Sequence, residues 1–200
     1  MNLSLRQALA EYLEAMPADQ KSIYYAAGES VAAVDKLPQT ELLKDKDYEV
    51  LYLTGETDEF VLQALMNYDE KPFRSIVDGD LELGGEEEHK DDGESSALLD
   101  FVKETLAGKV KEVKVSTRLK DHPVCLSADG PLSIEMEKVL SKQPGSEGVK
   151  SDKVLELNAN HPVFAVLKAA QEAGDTDKVK KYSSLLYAQA QLIEGLPVDD

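Results

Sequence analysis

Ser22-Ile23-Tyr24-Tyr25-Ala26-Ala27 is a short, aromatic-rich run that ends on Gly28, and Glu29-Ser30 leads from it into a helix expected over about 30–36. An apolar, aromatic segment stopped by a turn residue reads as a buried strand. The pattern repeats downstream. Tyr48-Glu49-Val50-Leu51-Tyr52-Leu53 is a second strand halted by Gly55, and Phe60, Val61, Ala64 and Leu65 then stand at helical spacing within 57–67. Residues 72–77 form a third candidate strand. Ahead of all three, Leu5, Leu9, Tyr12, Leu13 and Met16 recur at three- and four-residue steps until Pro17 ends the helix. Strands alternating with helices predict a small α/β unit with a partly parallel sheet over 1–78.

Beyond it, 79–96 is dominated by Asp, Glu and Gly, with Glu86-Glu87-Glu88-His89-Lys90-Asp91-Asp92-Gly93 at its centre. Such a run repels itself and reads as an acidic linker or a frayed helix start; it lacks the ligand alternation of a calcium loop. From Ala97 a helix is expected to about Leu106, with Gly108 as its stop. Val110, Val113 and Val115 mark a strand, with Pro123-Val124-Cys125-Leu126 as its hairpin-like partner. A short helix follows over 133–140. Lys153-Val154-Leu155-Glu156-Leu157 is a further strand, and two helices over 162–173 and 175–194 flank Gly174. The second half, 97–200, is thus expected to be α+β. No repeat of 20 to 50 residues is visible.

The 200 residues carry a formal net charge of −17, which repels phosphate backbones and argues against nucleic-acid binding. With 42% hydrophobic and 30% charged residues and a mean hydropathy of −0.36, the chain has the composition of a folded globular protein. No apolar run reaches the roughly 18 residues that span a bilayer, and Met1-Asn2-Leu3-Ser4 lacks the pattern of a signal peptide. A cytoplasmic chain without membrane partners is expected, and the single Cys125 agrees with a reducing compartment.

Candidate chemistry is sparse. His89, His122 and His161 show no zincin spacing, and His122 with Cys125 supplies two ligands where a structural zinc needs four, so no metal is assigned. His122 is poorly placed to activate the Cys125 thiol, which reads as a small apolar strand residue. His161-Pro162 marks a helix entry, with Asn158 or Asn160 available to satisfy the first amides. Gly108-Lys109 lacks the remainder of a phosphate loop. Asp58-Glu59 is a paired carboxylate whose ordinary role is to complement a helix dipole. On the 133–140 helix, Leu132, Met136, Val139 and Leu140 share one side; they read either as a core stripe or as an adaptable apolar surface, for which methionine is suited.

The ordered set Ile23-Tyr24-Tyr25, Gly28-Glu29-Ser30, Tyr48-Glu49-Val50-Leu51-Tyr52-Leu53-Thr54, Asp58-Glu59-Phe60, Val115-Ser116-Thr117-Arg118-Leu119, Pro123-Val124-Cys125-Leu126, Leu155-Glu156-Leu157-Asn158 and His161-Pro162 resembles the bacterial type of the heat shock protein 90 family of molecular chaperones. The likeness covers nearly all 200 residues. It implies the end of the middle domain followed by a C-terminal dimerisation domain without its last helix, as a fragment lacking the ATPase domain. No catalytic residue is then expected, and ATP and magnesium belong to the full-length family member only. The resemblance also implies non-native client proteins as partners, bound by Leu132, Met136, Val139 and Leu140, and a homodimer whose interface includes Leu185, Leu186, Ala190 and Ile193, left as exposed apolar surface. Two readings from other classes stand beside it: an oligomerisation module that ignores clients, and a small α/β enzyme using Asp58 or Glu59.

Overall fold

A computed structural model describes residues 5–79, 93–146 and 148–198. The chain divides into two compact units, Met1–Ile76 and Val77–Asp200.

In the first unit, helix α1 (Leu5–Ala15) is followed by strand β1 (Ile23–Ala27), which continues through Ser30 into α2 (Val31–Val34). The Ser30 hydroxyl caps α2 by accepting from the Ala33 amide at 3.2 Å. A 3-10 turn (Pro38–Thr40) and α3 (Glu41–Asp45) return the chain to β2 (Val50–Leu53), and α4 (Asp58–Leu65) leads to the hairpin β3 (Asn67–Tyr68) and β4 (Lys71–Ser75). The strand order is β2-β1-β4-β3, with β1 parallel to both β2 and β4 and β3 antiparallel to β4. Helical crossovers between successive strands are what parallel pairing requires. With neighbours on both edges, β1 buries consecutive residues, which is why its sequence is continuously apolar and does not alternate.

Leu9 and Tyr12 of α1 pack with Ile23, and Tyr25, Leu53 and Leu62 form a second cluster. The buried Tyr12 hydroxyl accepts from the Tyr24 amide at 2.9 Å and from Gln20 Nε2 at 2.6 Å, and donates to the Glu49 carbonyl. Burial above all pushes this phenol up to about 12, so it stays a neutral donor. The 3-10 turn, α3 and the two-residue β3 went unanticipated because pieces this short carry no periodicity.

The β3–β4 turn places Asp69 at φ 48° and Glu70 at φ 62° between the paired Tyr68 and Lys71. Two central residues with positive φ define a type I′ turn, whose second position favours glycine. Glu70→Gly is therefore expected to stabilise the first unit by about 0.5–1 kcal/mol. A urea midpoint that falls in the variant would contradict this account of the turn.

The second unit contains α5 (Gly93–Thr105), β5 (Glu112–Val115), β6 (Val124–Ala128), α6 (Ile134–Ser141), β7 (Lys153–Leu157), α7 (Pro162–Glu172) and α8 (Thr176–Ile193). Its sheet order, β5-β7-β6, corrects the expected hairpin: β7 lies between β5 and β6, parallel to the first and antiparallel to the second. Leu155 at the centre stands opposite Val113 on one side and Leu126 on the other. These three join Leu98, Val102 and Leu106 of α5, Phe164 and Leu167 of α7, and Val179 and Leu186 of α8 in one core.

Residues at both ends of the expected 79–96 linker belong to this unit. Ala128 donates to the Val77 carbonyl at 2.9 Å, Gly79 donates to the Ala128 carbonyl at 2.8 Å, and α5 already begins at Gly93. The acidic stretch 80–92, at the heart of the expected linker and without the ligand alternation of a calcium loop, lies outside the described residues. At the entry to α7, His161 is its own cap, its Nδ1 accepting from the Val163 amide at 3.2 Å. Asn158 instead accepts from Asn160 at 2.9 Å and donates to the Lys120 and His122 carbonyls.

Candidate functional site

Helix α6 starts on Ser133, whose hydroxyl accepts from the Met136 amide at 3.0 Å. Of the expected client-binding stripe, Leu132, Val139 and Leu140 are half-buried, whereas Met136 is only 7% exposed. That corrects the expectation of an adaptable methionine at the surface: Met136 is turned away from solvent, and it is Ile134 that α6 contributes to the unit's core. Glu137 holds the loop that follows: its Oε2 accepts from the Ser151 amide and hydroxyl at 2.8 and 2.6 Å and pairs with Lys153. Burial pushes the Glu137 carboxyl up, but Lys153 and Ser151 together bring it below the ordinary glutamate range.

On α8 the expected interface residues separate. Leu186 and Ala190 are buried in the unit's own core, which corrects their assignment as exposed surface, and Ile193 is half-buried. Leu185 is 63% exposed. Leu192, which was not singled out from the sequence, is 69% exposed two turns further on, and the half-buried Ala188 stands between them on the same helical stripe. Residues 185, 188 and 192 therefore form a narrow apolar face pointing away from the sheet.

The sequence reading also missed a charged centre beneath the second sheet. Glu156, 1% exposed on the middle strand, accepts from Arg118 Nε at 3.1 Å and Nη2 at 2.7 Å, and from the hydroxyls of Ser116 and Ser127 at 2.9 and 2.7 Å. Lys114, directly opposite in the β5–β7 register, lies 3.6 Å from the same carboxylate and donates to the Gly79 carbonyl. Arg118 Nη2 also donates to the Asp78 carbonyl at 2.8 Å. Burial raises the carboxyl's proton affinity, yet Arg118, then Lys114 and the two hydroxyls, bring it below the ordinary glutamate range. With every lone pair engaged, this carboxylate is a fixed structural charge rather than a proton acceptor. Its only sequence signal was a Glu set between Leu155 and Leu157 in a strand.

Other candidates have ordinary partners. Cys125 is fully buried in β6, and burial first, then Glu156, pushes its thiol well above the usual range, so it is not a thiolate nucleophile. Asp58 accepts from the Gly55 amide at 2.9 Å, and Glu59 is buried. Gly108, at φ 80°, follows the end of α5, and the Lys109 ammonium lies over the Tyr187 ring at 5.8 Å instead of forming a phosphate cradle. A groove of about 990 Å³ runs beside edge strand β5, between α5 and α7. No group of three or more metal-ligating side chains occurs among the described residues, and none of the described helices is long and apolar enough to cross a membrane.

The sequence profile of the family described as Hsp90 protein matches residues 4–200. The chain is 56% identical over 194 residues to a Chaperone protein HtpG of Clostridium acetobutylicum, 55% over 196 residues to one of Clostridium botulinum, and 53% over 197 residues to one of Oceanobacillus iheyensis. Each match covers 96% of this chain and 31% of the relative, so the chain spans about a third of the length of the curated relatives it matches. On a profile match from residue 4 to residue 200 and identity above one half, this chain belongs to the Hsp90 family.

Proposed function

We propose that this chain is a chaperone segment that self-associates as a homodimer through α8 and holds non-native client proteins against α6, in the cytoplasm and without nucleic-acid or membrane partners. The observation that carries the reading is the apolar face of α8: a helix that buries Val179, Leu186 and Ala190 inward also presents Leu185 and Leu192 outward, two turns apart on one stripe that a second copy would cover. The half-buried Leu132, Val139 and Leu140 supply a second, smaller apolar surface, suited to weak and promiscuous contact. In this reading the chain has no catalytic residue, metal or nucleotide of its own. ATP and magnesium belong to the parts of longer family members outside the matched stretch.

Suppression of aggregation of a heat-denatured test enzyme checks the client half. Val139→Ser combined with Leu140→Ser is expected to lower suppression at least twofold at equal chain concentration, with the circular dichroism spectrum preserved. Undiminished suppression would remove α6 from client binding. The burial of Met136 favours a second reading, in which the unit is an association module that ignores clients; the wild-type chain would then suppress nothing while still associating.

A further inference from the structure

The end of α8 is built with unusual completeness. Gly195, at φ 68°, takes the left-handed position after the helix; its amide donates to the Leu192 carbonyl at 3.1 Å and the Leu196 amide donates to the Gln191 carbonyl at 2.8 Å. This is a Schellman motif, and Leu196 is drawn into the core by it. Gln191 Nε2 donates to the Pro197 carbonyl at 2.9 Å. The carbonyl of Glu194, at the negative end of the helix dipole, is left for a partner from elsewhere. That partner is Lys138 of α6, whose Nζ donates to it at 2.9 Å while also pairing with Glu135 on its own helix. A Cβ added to Gly195 would lie 3.8 Å from the same ammonium.

We infer that Lys138 is a positioning residue for self-association: from α6 it fixes the last turn of α8, and so the setting of Leu192 and the direction in which the chain leaves the helix. The inference rests on the proposed association through α8. A lysine side chain 19% exposed, its ammonium bridging a carboxylate and a helix-terminal carbonyl, resists fraying better than a surface lysine in water. Fraying here displaces one of the two leucines of the apolar face. The side chain that α6 contributes to the α8 terminus lies one position from Val139, so the two surfaces share a connection through adjacent residues.

Sedimentation equilibrium of the whole chain tests this. Lys138→Met, which keeps the aliphatic stem, is expected to weaken self-association about tenfold, the worth of one charge-assisted hydrogen bond. Lys138→Arg, which retains the donor, should restore it to within about twofold. Val113→Ala, a core change on the edge strand β5 that leaves the Lys138 contact and the outward face of α8 in place, supplies a variant of lowered stability that should associate as wild type does. Amide exchange adds a readout independent of association: Gly195 and Leu196 should exchange faster in Lys138→Met and not in Lys138→Arg. Association and exchange both unchanged in Lys138→Met would overturn the inference and leave the α8 interface standing. Equal loss in Lys138→Met and Val113→Ala would reduce it to a stability effect and overturn it too. A wild-type chain that stays monomeric at every concentration would refute the association reading itself.

Discussion

Glu156→Gln is expected to destabilise the second unit by about 3–5 kcal/mol, the usual consequence of removing one partner from a buried ion pair. The substitution is nearly isosteric, so no cavity explains the loss. It leaves the Arg118 guanidinium, 3% exposed, without its counter-charge, and turns an amide N–H toward donors that had faced an acceptor. Replacing both residues, Arg118→Met with Glu156→Met, should recover a substantial part of the loss because the guanidinium is no longer stranded, while Lys114 and the Ser116 and Ser127 hydroxyls, each deprived of the carboxylate, keep the recovery incomplete. Urea unfolding monitored in the second unit measures all three variants. A loss below about 1 kcal/mol in Glu156→Gln would show the pair to be far better solvated than its burial indicates.

The same residue gives the wild type an acid limit. The Glu156 carboxyl titrates below its ordinary 4.5 in the folded chain. Its contribution is therefore fully present above that value and lost as the pH falls through the lower folded value. Glu137, also shifted down, adds to the loss in the same window. The Glu156→Gln variant should show a shallower fall in stability below pH 4.5 than the wild type.

Leu185→Glu combined with Leu192→Glu is expected to weaken self-association by about 100-fold or more, since each change replaces an apolar contact with a carboxylate that association would have to desolvate. Stability of the single chain should move by no more than about 0.5 kcal/mol, because both side chains already lie mostly in water. Leu186 and Ala190 are unsuitable probes: they are core residues, and a change there reports unfolding before association. Added salt screens the extra negative charge on a chain already at −17, but does not return the apolar contact, so high ionic strength should rescue the variant only partly. Undiminished association of the double variant would move the interface off this face of α8.

Much of the element list was legible because its signals are local. The aromatic run ending at Gly28, the helical spacing of Phe60, Val61, Ala64 and Leu65, and the break at Gly174 each lie within a dozen residues, and the corresponding strand, helix and corner stand where those patterns put them. The candidate site was legible only in part. Periodicity placed Leu132, Met136, Val139 and Leu140 on one side of α6, yet Met136 is buried and its companions half-exposed, because a helix face is wider than the strip that its neighbours cover. On α8 the adjacent Leu185 and Leu186 point about 100° apart, and nothing local says which of the two meets the sheet.

What the amino-acid sequence determined by itself is the identity of most helices and strands and the membership of the Hsp90 family, since backbone preference and side-chain period act over neighbouring residues and the family's landmarks keep their order along the chain. Only the tertiary structure decided that β7 separates β5 from β6, that Glu156 finds Arg118 from 38 positions away, and that Leu185 and Leu192 are the leucines of α8 left to solvent. Strand order, a buried ion pair and the exposed side of a helix each depend on which distant segment arrives alongside. That choice is made by the burial and pairing free energy of the whole unit, to which no local window has access.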